Sequence, residues 1–304
     1  MSQNIKNLTE KNQYFLLLAV LGMLSWGGSW ASAKAVSSMA SAEVLVFWRF
    51  FLTFLSFIPI MFIFKQSFKI NLKAFAFIFF AGVFLSLYTH IFFLGLQKGL
   101  ASIGGVLTTS LNPVFTFLLS VFLFKQKSLK KDWLGVGLGF LGGLIMMEIW
   151  NFSYEKLLAS GNLLFLTASL LWSFLTFSSD KGGKHCSPFA FSFYLYGIAS
   201  LLNLFFAFNQ GVMQVFSLSS LFWWNLLFLS LVSTTFGTTI YFFATQKLGS
   251  NKASSFIFLV PPAALFFSLV FLKESPSFYV FLGGILATFA VYLINKKPLK
   301  KAKI

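Results

Sequence analysis

Tyr88-Thr89-His90-Ile91-Phe92-Phe93-Leu94-Gly95-Leu96-Gln97-Lys98 lies without a gap over Gly237-Thr238-Thr239-Ile240-Tyr241-Phe242-Phe243-Ala244-Thr245-Gln246-Lys247. Five of these eleven positions are identical, and the same offset of 149 residues places Pro113 over Pro262 and Gly135 over Gly284. One unit is written twice. In an apolar chain, such duplication is the mark of carriers built from two related halves, with the solute site where the halves meet.

The chain is apolar throughout. Hydrophobic residues make up 58% of its 304 positions and charged residues 10%, against roughly one-quarter charged in soluble domains. A membrane span needs about 20 mostly apolar residues. Such stretches are read at 14–36, 44–64, 74–95, 102–124, 133–150, 157–179, 188–208, 221–244, 253–272 and 278–294. Lipid cannot satisfy open backbone groups, so the spans are predicted to be helices; the alternating ten-residue strands of a barrel are absent. The expected fold is an all-α membrane protein, ten transmembrane helices arranged as two inverted five-helix repeats. Its parts are an N-terminus at 1–13, repeats at 14–150 and 157–294, and a basic tail at 295–304.

A net charge of +16 would suggest nucleic acid in a soluble protein. Here eighteen lysines, from Lys6 to Lys303, fall in the N-terminus, alternate loops and the tail, whereas the other loops hold only Lys98, Lys156 and Lys273. The positive-inside bias therefore puts both termini in the cytoplasm of a multi-pass protein of the bacterial plasma (inner) membrane. That orientation needs an even number of spans, and no nucleic-acid partner is expected. Five spans per half is odd, so the second half enters from the opposite side. Gln97-Lys98 is then external, Gln246-Lys247 internal, and the repeat axis lies in the membrane plane.

Ala31-Ser32-Ala33 resembles a signal-peptidase site, but the apolar stretch before it is about twice a signal core, so a retained helix is expected. The single cysteine, Cys186, permits no intrachain disulfide; with Asp180 and His185 it offers either a weak metal set or a solvated loop. Gly135, Gly137, Gly139, Gly142 and Gly143, with Gly283, Gly284 and Ala287, form small-residue stripes. Such stripes let membrane helices approach closely, within one chain or across a homodimer.

Trp26-Gly27 followed by Lys34, Phe47-Trp48-Arg49-Phe50, the Ala101-to-Pro113 run leading to Phe124-Lys125, and the Pro262-to-Leu272-Lys273-Glu274 run together resemble the drug/metabolite transporter superfamily, in its EamA-type branch. Two positions depart from that pattern: Lys125 stands where an acid is common, and Gly95-Leu96 where Ala-Leu is favoured. The resemblance implies a central cavity lined by spans 1, 3, 4, 6, 8 and 9, with spans 5 and 10 peripheral. It also implies export or exchange of small metabolites, often amino acids.

An ionisable group inside the membrane costs several kcal/mol unless it is paired or wet. His90, Arg49 and Glu148 are accordingly candidates for coupling or gating, with Arg49 paired to Glu148 or Glu43 and His90 titrating a proton. The alternatives are snorkelling for Lys34, Glu43 and Glu148, and a hydrogen-bonded core position for His90. Nearer the centre, Thr109 and Asn112 precede Pro113, while Ser254 and Ser255 precede Pro261 and Pro262. Each proline is an expected helix break that frees a carbonyl one turn earlier. With Tyr88, Thr238 and Tyr241, these residues are candidates for lining a cavity, although Ser and Thr also bond back to their own helices. Trp26, Trp30 and Trp172 are candidate cavity walls, whereas Trp48, Trp133, Trp150, Trp223 and Trp224 fit the interfacial belt. Absent fixed cations at mid-depth argue against sugar phosphates.

No phosphate loop, zinc signature or nucleophile turn occurs, so no metal, cofactor or catalytic residue is expected. The reading is a secondary carrier, not an enzyme, working by alternating access in the lipid bilayer on a small-molecule solute, with protons a candidate coupling partner. The alternatives are an intramembrane enzyme and a lipid-handling membrane protein.

Overall fold

The structure, a computed structural model, describes residues 2–123, 125, 128–151, 153 and 160–295, with backbone alone for 2–13, 16, 251, 252, 255, 258, 291, 294 and 295. Among the described residues there is no strand. The helical segments are α1 (Ser2–Val36), α2 (Ala42–Ile63), α3 (Leu72–Lys98), α4 (Ala101–Phe122), α5 (Lys130–Met146), α6 (Asn162–Gly182), α7 (Pro188–Ala207), α8 (Ser220–Leu248), α9 and α10 (Phe278–Asn295). α9 is built of Ser250–Ser254, a tighter 3₁₀ stretch Ser255–Leu259, and Val260–Leu272. Among the described residues six helices are long and apolar enough to cross a membrane, namely α2, α3, α4, α6, α7 and α8, and shorter apolar helices occupy Val260–Leu272 and Phe278–Ala290. The N-terminal segment is helical from Ser2, and Ala31-Ser32-Ala33 lies inside that same helix. The basic tail beyond Asn295 lies outside the described residues.

Side chains close several helix starts. Ser41, Asn71 and Ser187 accept from the backbone N–H groups of Val44, Ala74 and Ala190, as N-cap residues do. The Asp132 carboxylate takes the Leu129 N–H at 2.7 Å, closing the start of α5.

Polarity is distributed opposite to a soluble protein. Phe205, Leu72, Phe271 and Ile285 stand exposed on the outside, while Arg49, Asn112, Ser169, Ser173, Asn203 and Ser233 are buried. Lipid as the outer solvent accounts for this arrangement. Neighbour relations also repeat. α3 packs on α6, α4 on α6, and α3 on α7; shifting each number by five, cyclically, gives α8 on α1, α9 on α1, and α8 on α2, all of which are present. α2 with α7, α4 with α9, and α5 with α10 map onto themselves.

α5 and α10 pair through their small residues. A Cβ on Gly142 would stand 2.7 Å from the Gly283 carbonyl oxygen, and one on Gly283 would stand 2.4 Å from that of Gly142. These stripes meet each other within the chain. Overpacking such a contact costs about 1–3 kcal/mol, so Gly283→Val is expected to lower the detergent melting temperature by several degrees. Gly137→Ala, with nothing within 4 Å of the added carbon, should leave it within a degree; equal melting for both variants would contradict this packing.

Candidate functional site

Where α8 carries its hydroxyls it changes helix type: Phe228–Thr238 is π-helical between two α-helical pieces. The hydroxyls of Thr234, Thr235 and Thr238 donate to carbonyls five residues back, Leu229 at 2.7 Å, Ser230 at 2.9 Å and Ser233 at 3.4 Å. Widened turns of this kind leave carbonyls available to neighbours and recur at functional sites. Trp26 of α1 donates its indole N–H to the Ser233 carbonyl (3.2 Å) and Thr238 Oγ1 (3.3 Å). From α2, Arg49 Nε donates to Thr234 Oγ1 at 3.0 Å, Thr53 Oγ1 to the Ser230 carbonyl at 3.1 Å, and Ser56 shares a hydrogen bond with Thr235 at 2.7 Å.

A second polar seam joins α4 to α6. Thr108 Oγ1 donates to the Phe165 carbonyl and Ser169 Oγ to the Thr108 carbonyl. Asn112 Nδ2 donates to the Ser169 carbonyl (3.1 Å) and to Ser173 Oγ (3.0 Å). Because a carbonyl can only accept, the orientation of the Asn112 amide is set.

Between the two seams lies a narrow cavity of ≈ 40 Å³, walled by Trp26, Trp30, Tyr88, Phe92 and Trp172, with Arg49, Thr109, Asn112, Tyr196, Ser233 and Thr238 among its polar lining. Of the cavity residues expected from sequence, Trp26, Trp30, Tyr88, Thr109, Asn112, Trp172 and Thr238 line it. Tyr241 does not: its ring packs behind Trp26 at 5.0 Å and Trp172 at 6.0 Å, and its hydroxyl bonds Thr176. Ser254 is buried away from the cavity lining, and the Ser255 side chain lies outside the described residues. The lining draws on two further helices, α2 through Arg49 and Phe50 and α7 through Tyr196. Sequence offers no signal for Tyr196; for Arg49 the signal was its charge inside an apolar span.

The expected partners of Arg49 are also corrected. Glu148 has a left-handed backbone (φ 50°) and accepts from Asn151, while Glu43 sits in the first turn of α2. Lys131 and Asp132 form an ion pair of their own. His90 is not in the cavity lining; its Nδ1 lies 3.0 Å from the Ser86 carbonyl, so that nitrogen carries the proton. Pro113 does not break α4, which runs through it in a buried position where neighbouring helices hold the turn. At Pro261 and Pro262 the change is real, since 3₁₀ gives way to α-helix at Val260. Trp48 is no belt residue: it is buried, and its indole N–H donates to the Val212 carbonyl at 2.7 Å.

Charges from other helices hold the α3–α4 turn. Lys34 of α1 donates to the carbonyls of Leu96 and Gly99 at the end of α3. Glu274, following α9, accepts from the N–H groups of Ala101 and Ser102 at the start of α4, both at 2.8 Å. A cation thus meets a helix C-terminus and an anion an N-terminus, each complementing the helix dipole. The corresponding turn after α4 reads Phe124-Lys125-Gln126 and contains no acid. Neither snorkelling nor gating alone describes Lys34; it is a clamp.

Near Cys186 no metal set forms: among the described residues no group of three His, Cys, Asp or Glu side chains could hold an ion. Burial pushes the Cys186 thiol up to about 11, because a thiolate is poorly solvated there.

A bundle of apolar helices around an aromatic-walled cavity that also carries polar groups is the build of a membrane transporter. The model of the EamA-like transporter family matches the chain twice, over residues 13–147 and 159–296. The chain belongs to this family, part of the drug/metabolite transporter superfamily, and is an integral, multi-pass membrane protein. It is similar to an uncharacterized transporter of Synechocystis sp., 28% identical over 225 residues that cover 69% of this chain and 68% of that one. It is also similar to the uncharacterized transporter YoaV of Bacillus subtilis, 23% identical over 289 residues, 91% of this chain and 97% of that one. An uncharacterized transporter of Archaeoglobus fulgidus is 23% identical over 285 residues, 92% and 97% of the two chains. A solved crystal structure shares the fold with a TM-score of 0.67 at 15% identity, covering 93% of this chain and 96% of that one.

Two outcomes follow from this geometry. Glu274→Ala leaves two helix N–H groups without their acceptor and is expected to cost about 1–2 kcal/mol, read as a lower melting temperature; unchanged melting would remove the clamp. Maleimide labelling of Cys186 at pH 7.5 should run at least ~100-fold slower than that of a free thiol and accelerate above pH 10. Fast labelling at neutral pH would contradict its half-buried setting.

Proposed function

We propose that the chain is a secondary carrier that exports or exchanges a small metabolite, such as an amino acid, by alternating access. In this reading all ten helical segments cross a bacterial plasma membrane, both termini are cytoplasmic, and the two matched stretches form inverted five-helix halves. The observation that carries it is the cavity: its wall takes Trp26, Arg49, Tyr88 and Asn112 from the first matched stretch and Trp172, Tyr196, Ser233 and Thr238 from the second. The neighbour pattern that maps onto itself under a shift of five helices supports the same reading. So does the double family match.

The clamped α3–α4 turn is then external, and the Lys34 and Glu274 contacts close the cavity towards that side. Opening outward requires them to part. The opposite end lacks an equivalent acid, so the two ends of the passage are held with unequal strength. Walls of tryptophan and phenylalanine with scattered hydroxyls suit a solute with an apolar body.

Counterflow tests the reading. Proteoliposomes preloaded with each of the twenty amino acids are expected to take up the matching labelled compound transiently above equilibrium for at least one of them, with the label chemically unchanged. No overshoot for any compound would discard the amino-acid carrier, and conversion of the label would point to an intramembrane enzyme.

A further inference from the structure

We propose that the cavity holds its solute between two poles, with Arg49 taking a carboxylate and Asn112 Oδ1 taking an N–H donor of the same molecule. The proposal rests on the carrier reading for its biological meaning, but on the cavity alone for its chemistry.

Arg49 is buried, lines the cavity, and sits 5.8 Å from the Phe92 ring centroid. Its Nε is used by Thr234, and no other hydrogen bond holds the guanidinium among the described residues. Among the described residues the acids are elsewhere: Asp132 pairs with Lys131, Glu148 accepts from Asn151, Glu274 closes α4, and neither Glu43 nor Asp180 lines the cavity. A guanidinium is the least readily neutralised side-chain cation, and burying one without a counter-charge is costly. The missing negative charge is one the solute can bring. Its planar fork matches a carboxylate. With no lysine or second arginine in the lining, a single monoanionic group is the better match than a phosphate dianion.

Asn112 supplies the other pole. Its amide nitrogen is committed to Ser169 and Ser173, which leaves Oδ1 as an acceptor, buried and without a partner. Ser233 Oγ, also lining the cavity, is likewise buried and unpartnered. A buried acceptor left unmade costs about 1–3 kcal/mol. An ammonium or amide N–H of the solute satisfies it. The aromatic walls then take an apolar side chain, so the fitting class is a carboxylate with an N–H donor and an apolar body.

The test uses the full chain purified in detergent, with tryptophan fluorescence and melting temperature as readouts, because Trp26, Trp30 and Trp172 line the cavity. The probes are L-leucine, L-methionine and L-phenylalanine, the amides of each, and 3-phenylpropanoate, which lacks the amine. At least one acid is expected to bind saturably, and its amide at least ~10-fold more weakly. 3-Phenylpropanoate should bind several-fold more weakly than L-phenylalanine. Arg49→Gln should abolish the preference for acid over amide, and Arg49→Lys should restore part of it. Acids and amides binding alike, Arg49→Gln binding acids as the parent does, or no acid saturating, would each overturn the proposal. If Arg49→Gln does not fold, the comparison of acid with amide on the parent decides. Binding is read without transport, so acid binding without counterflow would keep the site and remove the carrier reading.

Discussion

Polar groups buried inside this bundle must find partners there, because lipid supplies none. That constraint accounts for most of the interior. The π-helical stretch of α8 turns hydroxyls onto its own carbonyls and leaves others for Trp26, Arg49 and Thr53 to address. The α4–α6 seam satisfies Thr108, Ser169 and Ser173 mutually. Around the cavity the satisfaction is incomplete: among the described residues Asn112 Oδ1 and Ser233 Oγ have no hydrogen-bond partner and Arg49 meets no acid. What distinguishes the chamber from ordinary packing is a guanidinium set among aromatic rings beside polar groups drawn from several helices.

Helix ends obey the same rule with charges. The turn between α3 and α4 exposes carbonyls on one side and N–H groups on the other, and Lys34 and Glu274 answer each from different helices. Small residues allow those helices to come close. A Cβ on Gly27 would fall 2.3 Å from that of Ala263, and one on Gly105 2.5 Å from that of Ala264, so α9 approaches both α1 and α4 across glycine. The two matched stretches share a plan and differ in chemistry. His90 stands over Thr239, and the acid after α9 has no acidic counterpart after α4.

Much was legible in the residues alone. Apart from α1, which begins well before its apolar stretch, the helical segments fall within a few residues of the apolar stretches, because burial in lipid demands a minimum apolar length and that length is a local property. The indole, hydroxyl and amide side chains of Trp26, Thr109, Thr238 and Asn112 were legible as cavity residues because polar and indole groups are conspicuous in apolar spans. Less legible was direction. In a helix that is apolar on every side, periodicity carries little information about which face meets the protein. Arg49 was therefore assigned to acids at the same level and Tyr241 to the cavity, whereas their neighbours are Thr234 and Thr176.

Sequence by itself determined the class of fold, the duplication, and the inventory of polar groups that the membrane would have to accommodate. Tertiary structure decided which of those groups satisfy one another, that Glu274 and Lys34 close a turn from helices distant in the chain, and that Arg49 and Asn112 share one cavity. The reason is physical. Span length and composition follow from the transfer of each segment into lipid, whereas a hydrogen bond between helices depends on the rotation of both about their axes, which no single segment specifies.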